Sequence, residues 1–343
     1  MKRLNASRVI LVLLLLLPAV ALLYISAGPS FISPLRLFAS PESDLLARDQ
    51  VILQSIRLPR AIMAMLVGAC LAVSGAVMQG LFRNPLADPS LIGVSSGASA
   101  GASFMIVFGA SIAQGSEILG LSIVGMGAMA GAVLAVFLVY RLSTNRYGTS
   151  VITMLLSGVA IGAVASALNN LFTYFADSVM LRRISVWEMG NLEGASWDRV
   201  IMMAAVAALL LWRIPRHRLA LNAFSLGESE ARYLGIDVEW VKKELILVAA
   251  LAVGISVVVV GNIAFVGLVV PHILRGAIGP DHRSLIPGTA LAGALLLLLA
   301  DMAARIVIAP AELPAGILTA LVGAPVFFAL LIKSRALNNP ERL

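Results

Sequence analysis

Cysteine, histidine and charge are all scarce in this chain. One cysteine, Cys70, and three histidines occur in 343 residues. A single thiol excludes an intrachain disulfide framework and a thiolate metal cluster. Cys70 sits in an apolar run and reads as a small packing residue. There is no G-x-x-x-x-G-K-[ST] stretch, so ATP hydrolysis through that phosphate loop is excluded. No His/Asp/Glu cluster of ligand spacing falls in the apolar runs, which argues against a metal site and a membrane enzyme. Charged residues make up only 13%, against 60% hydrophobic. Length alone suggests two soluble domains. Apolar runs of about 18 or more residues override that reading, because such runs are transmembrane helices. The chain is therefore an all-α polytopic membrane protein. Its net charge of +7 fits Lys- and Arg-rich cytoplasmic loops better than nucleic-acid binding.

Ten spans are predicted, near 9–27, 61–82, 91–109, 119–140, 151–172, 198–213, 244–261, 264–279, 287–308 and 315–333. With the N-terminus inside, 17 of the 25 Lys and Arg residues lie on the cytoplasmic side, including Lys2, Arg3, Lys333, Arg335 and Arg342. That bias places both termini in the cytoplasm. Met1 to Ile25 resembles a signal peptide with a possible cleavage region at Ser26-Ala27-Gly28. Its apolar stretch is long for that role, and a retained first helix is favoured. Gly- and Ala-rich spans predict close helix packing. Short surface helices are expected in the outer segments 28–60 and 174–197. Asn84-Pro85-Leu86-Ala87-Asp88-Pro89 breaks the helix between spans two and three.

The longest polar segment, Arg213 to Lys243, contains Ser225-Leu226-Gly227-Glu228-Ser229-Glu230-Ala231-Arg232-Tyr233-Leu234-Gly235-Ile236-Asp237. Ser225 and Glu228 have capping-box spacing, Gly235 is placed to end the helix, and Asp237 can cap a second. So short a helix needs a partner, and a docking element is favoured over a plain solvated loop.

At this point a family resemblance becomes visible. Leu226-Gly227-Glu228, Ala231-Arg232 and Leu234-Gly235 resemble the cytoplasmic coupling element of FecCD-type permeases, the membrane subunits of ABC importers for iron complexes, heme and cobalamin. Arg57-Leu58-Pro59-Arg60, Gly75-Ala76-Val77-Met78-Gln79, Gly93-Val94-Ser95-Ser96-Gly97-Ala98 and Phe265-Val266-Gly267-Leu268 resemble that family in the same order. So do Pro271-His272-Ile273-Leu274-Arg275, Asp281-His282-Arg283, Ala311-Glu312-Leu313-Pro314 and Gly323-Ala324-Pro325.

The resemblance implies a single permease domain over 1–343 with a ten-helix, BtuC-like fold in a bacterial inner membrane. It implies a homodimer with the pathway between subunits, two cytoplasmic ATPase subunits that hold ATP and Mg, and a periplasmic binding protein. The chain itself would bind no cofactor or metal. Leu226, Gly227, Glu228, Glu230, Ala231, Arg232, Leu234 and Gly235 would couple to the ATPase through about 225–243. Arg57, Arg60 and Arg305 would be exposed and would dock the binding protein. Thr149, Ser150, Thr153, Ser157, Ser166, Asn169 and Asn170 would form the pathway and gate.

For cargo, Gln79 to Pro85, continuing to Gly97, most resembles the heme and iron-complex branch, which implies heme, with ferric siderophore second and cobalamin third. The outer segment 174–197 also resembles the cobalamin branch, from which Glu188 and Asn191 depart. All three histidines fall on the cytoplasmic side, so they read as packing or capping groups. The competing class is an ion-coupled transporter, which needs mid-membrane ionisable groups. Asp301, four residues from Arg305, is the nearest candidate and can pair with it.

Overall fold

The computed structural model describes residues 4–28, 31–38, 44–109, 122–146, 148–309 and 311–337. Lys2, Arg3 and Arg342, invoked for orientation, lie outside these residues, as do the side chains of Lys333 and Arg335 and the first residues of the 119–140 span. Fourteen α-helices are described. They are α1 (Ala6–Ser26), α2 (Asp44–Ile52), α3 (Leu58–Leu81), α4 (Val94–Phe108), α5 (Ile123–Ser143), α6 (Val151–Phe175) and α7 (Ser178–Glu188). Then follow α8 (Trp197–Arg213), α9 (Arg218–Phe224), α10 (Glu228–Tyr233), α11 (Val238–Val260), α12 (Val266–Ile278), α13 (His282–Val307) and α14 (Ala315–Leu337).

A helix stands at each of the ten expected spans. Among the described residues six helical stretches are long and apolar enough to cross a membrane by length and composition, and α4, α12 and the apolar part of α14 are shorter. The π-helical turn Leu53–Arg57 joins α2 to α3. Helical backbone therefore leads into the second span from residue 44. The expected surface helix in 174–197 is α7.

The centre is α3, whose sides meet α13, α12, α11 and α8. Glycine makes this possible. A Cβ on Gly68 would stand 2.2 Å from the Gly293 carbonyl oxygen, and one on Gly75 would stand 1.7 Å from that of Gly267. A second layer pairs α4 with α5 through Gly97, Gly101, Gly127 and Gly131, with α6 laid across both. Close backbone approach supplies dispersion where lipid gives no hydrophobic drive.

Between α3 and α4 the chain is irregular, as its prolines require. Asn84 Oδ1 accepts from Leu86 N–H at 2.9 Å and Asp88 Oδ1 from Ser90 N–H at 2.8 Å. Between α11 and α12, Gly261 and Phe265 take positive φ values of 75° and 67°.

Candidate functional site

The polar island Ser225 to Asp237 folds differently at its start from the capping-box expectation. Helix α9 runs to Phe224, and Ser225 is the residue that ends it, its Oγ donating to Asn222 O at 2.6 Å. Helix α10 begins at Glu228 behind Gly227, whose φ of 136° suits glycine. Its end follows the sequence reading. Gly235, at φ 81°, donates to Arg232 O at 2.9 Å, and Ile236 donates to Ala231 O at 3.1 Å. These two bonds make a Schellman stop. Asp237 then accepts from Trp240 N–H at 3.1 Å. The helix it caps is no second surface helix. It continues without a break through the membrane segment as α11.

Ala231 is fully buried and anchors α10 to the core, while Leu226, Tyr233 and Leu234 face outward at 68%, 91% and 65% exposure. Glu230 is exposed as well. Glu228 and Arg232 turn back onto the chain, Glu228 to Lys242 and Arg232 to Glu239.

The segment preceding α6 is a tight reversal. Thr144 pairs with Thr149 and Asn145 with Gly148 in a two-residue antiparallel ladder. Ser150 caps α6 by accepting from Thr153 N–H at 3.3 Å. The seven polar residues expected to line a pathway separate into groups. Ser150, Thr153, Ser166 and Asn170 are exposed, whereas Thr149 and Ser157 are buried inside the chain. The lining expectation for Thr149 and Ser157 is therefore corrected, because both sit on the packed side of their segment. Asn169 is half-buried. It accepts from Ser103 Oγ at 2.5 Å and donates to Glu188 Oε1 at 2.7 Å.

At the far end of the bundle the three arginines are not exposed. Arg57, Arg60 and Arg305 are 4%, 3% and 3% accessible, which corrects the expectation of a free docking surface. Arg60 grips Asp301 with Nε at 2.9 Å and Nη2 at 2.8 Å, and reaches Glu312 with Nη1 at 2.7 Å. Arg57 donates to Ile25 O and Ser26 O, at 2.8 and 2.9 Å. Arg305 donates to Tyr24 O at 3.0 Å and stacks 4.1 Å from the Tyr24 ring. Tyr24 Oη donates to Asp301. Asp301 thus serves Arg60 and Tyr24 first, with Arg305 Nε 4.0 Å away. This ionic knot ties the end of α1 to the start of α3 and the end of α13.

The histidines are packing and capping groups. His217 Nε2 lies 3.0 Å from Glu244, His272 Nδ1 lies 3.3 Å from Pro85 O, and His282 meets Asn222 Oδ1 through both its N–H and Nδ1. Beside it, the Arg283 N–H and the Asn222 amide stabilise the Asp281 carboxylate and hold its pKa below the usual range. Among the described residues no group of three or more His, Cys, Asp or Glu is placed to hold a metal ion.

Residues 13–333 match the FecCD transport family. The chain belongs to that family. Relatives include the vitamin B12 import system permease protein BtuC of Salmonella newport, 42% identical over 95% of both chains. The protein of the same name from Salmonella paratyphi A is 43% identical over the same shares. A metal-chelate type ABC transporter solved in an inward-facing conformation superposes with a TM-score of 0.83 at 33% identity. That match covers 95% of this chain and 99% of the other. PsaBC from Streptococcus pneumoniae, in complex with Fab, shares the fold at TM-score 0.55 and 20% identity, over 79% and 89%. This FecCD member is thus a multi-pass permease subunit of an ABC importer and not itself an enzyme; the ATPase is a separate subunit.

Two residues that carry much of the island's bonding had no assigned role in the sequence, Glu239 and Lys242. Their signal was their i,i+3 spacing at a helix start.

Proposed function

We propose that this permease carries cobalamin across a bacterial inner membrane, with ATP and Mg held by two cytoplasmic ATPase subunits and cargo delivered by a periplasmic binding protein. The observation that carries the cargo is identity of 42–43% across 95% of both chains to permeases named for vitamin B12 import. Cobalamin replaces heme as the preferred cargo on the strength of that identity, and polar residues of the stretch that favoured heme are engaged within the chain. Gln79 is buried, donating to Leu268 O and accepting from Arg275, while Asn84 and Asp88 shape a turn.

In this reading the whole chain forms one permease domain of ten spans with both termini in the cytoplasm, and two copies pair. The exposed side of α6, with Thr153, Ser166 and Asn170, lines the pathway, and Asn169 with Glu188 stands at its outer end. The α10 tip, Leu226 with Tyr233 and Leu234, enters the ATPase. Arg57, Arg60 and Arg305 set the outer helix ends from within and leave direct contact with the binding protein to other groups.

The test is uptake by proteoliposomes holding the permease, its ATPase and its binding protein, offered labelled cyanocobalamin, heme or a ferric siderophore. ATP-dependent accumulation of cyanocobalamin supports the proposal. Accumulation of heme or siderophore in its place refutes the cargo.

A further inference from the structure

The island and the segment that opens α6 are far apart in sequence but share one set of bonds. Glu239 Oε2 accepts the Thr149 N–H at 2.8 Å, and Lys242 Nζ donates to the Thr149 carbonyl at 2.8 Å. Both backbone groups of one residue are therefore held by the first turns of α11. Lys242 also meets Glu228 Oε2 at 3.0 Å and Glu239 Oε1 at 2.8 Å. An ammonium has three donors, and here each has an acceptor. The Lys242 side chain is 3% exposed, so these bonds act where water competes least.

The surroundings fit this arrangement. Arg232 Nη2 stands 3.4 Å from Glu239 Oε1, which brings α10 into the same set. Gly148 has φ +115°, and a Cβ there would lie 2.4 Å from the Glu239 carboxyl carbon. A side chain at 148 would thus displace the carboxylate from Thr149. On the other side Thr149 Oγ1 lies 3.0 Å from Thr144 Oγ1, and Ser150 N–H donates to Ser143 O at 2.9 Å. Thr149 is held on one face by its own hairpin and on the other by Lys242 and Glu239.

We infer that Lys242 and Glu239 form the link through which movement of the α10 island is delivered to the start of α6. They are positioning residues for transport, gripping the main chain one residue before the Ser150 cap. A main-chain grip suits this task, because a shift of α11 displaces the α6 terminus itself and not one rotamer. The inference rests on the proposed docking of the island on the ATPase.

The test uses the complete complex in proteoliposomes, with ATP hydrolysis and cyanocobalamin uptake measured together. Lys242→Met removes the donors and strands no buried charge, since the Glu228 and Glu239 side chains are 34% and 36% exposed. Uptake per ATP should fall about tenfold, inside the 5–150-fold range of typical coupling energies. Hydrolysis should stay within about twofold, a change worth under 1 kcal/mol. Gly148→Ala should act alike, and Lys242→Arg should restore most uptake.

A readout independent of cargo is maleimide labelling of Thr153→Cys, in a chain whose one native thiol, Cys70, is buried. ATP should change the labelling rate while Lys242 is present and leave it unchanged once Lys242→Met is added. An unaltered ATP response in Lys242→Met overturns the link. So does a parallel loss of hydrolysis and uptake that Lys242→Arg fails to rescue, which marks a merely structural role. If the wild-type complex moves no cyanocobalamin, the cargo reading fails and the labelling still decides the link. If the ATPase does not assemble on the wild-type chain, the docking reading fails and takes the link with it.

Discussion

Asp301 is fully buried and answers Arg60 from one side and Tyr24 from the other. Removing one member of a buried ion pair leaves its partner desolvated and unpaired. Asp301→Ala should therefore cost about 3–5 kcal/mol of stability. Tyr24→Phe removes only a hydrogen bond to a charged group and should cost about 1.5–3 kcal/mol. Thermal unfolding in detergent should rank wild type above Tyr24→Phe and that above Asp301→Ala. Equal midpoints for all three would show that the knot adds no stability. The sequence showed the charges of this knot but not their burial. Asp301 and Arg305 fall four apart on one helix, which suggested each other as partners. The deciding contacts come from Tyr24 on α1 and Arg60 on α3, both more than two hundred residues from Asp301. Lys242 and Glu239 were hidden for the same reason, since their acceptor and donor belong to Thr149, about ninety residues away.

Among the elements, helix places were legible because an apolar run in a membrane chain has few alternatives to helix. Ends were legible only where local chemistry is decisive. Gly235 and Asp237 behave as read, because a positive-φ stop and an Asp cap are settled within a few residues. Ser225 does not, because its spacing to Glu228 cannot reveal that α9 already ends there. Helix contacts follow the small residues, and this gives a paired test. Gly68→Ala would place Cβ 2.2 Å from the rigid Gly293 carbonyl, forcing α3 from α13. Strain of this kind costs about 1–3 kcal/mol. Gly276→Ala, on α12, meets nothing within 4 Å, and helix propensity should make it neutral or stabilising by up to about 1 kcal/mol. Denaturation should separate the two variants in sign. A Gly68→Ala variant no less stable than Gly276→Ala would show that close packing against α13 does not explain the glycine.

For the whole molecule, the class of machine was legible and the cargo was not. Composition gave a polytopic helical protein, and the ordered motifs gave its kinship. Those motifs are internal fittings: Gln79 bonds to α12, Asp88 to a turn, and His282 to Asn222. Such residues report a shared fold, so they could not distinguish heme from cobalamin. The surface proposed to dock on the ATPase is a better place to test the assembled machine. Leu226, Tyr233 and Leu234 expose a small apolar patch at the α10 tip, held out by buried Ala231 and the Schellman stop. Large side chains that anchor an interface commonly cost over 1 kcal/mol when truncated. Tyr233 is 91% exposed in the chain alone, so Tyr233→Ala removes little that folding needs. Its unfolding midpoint should match wild type, while affinity for the ATPase subunit should fall about tenfold, the factor that corresponds to 1.4 kcal/mol. Co-purification across a dilution series would measure the loss. Unchanged affinity in Tyr233→Ala and in Leu234→Ala would place the ATPase contact elsewhere on the chain.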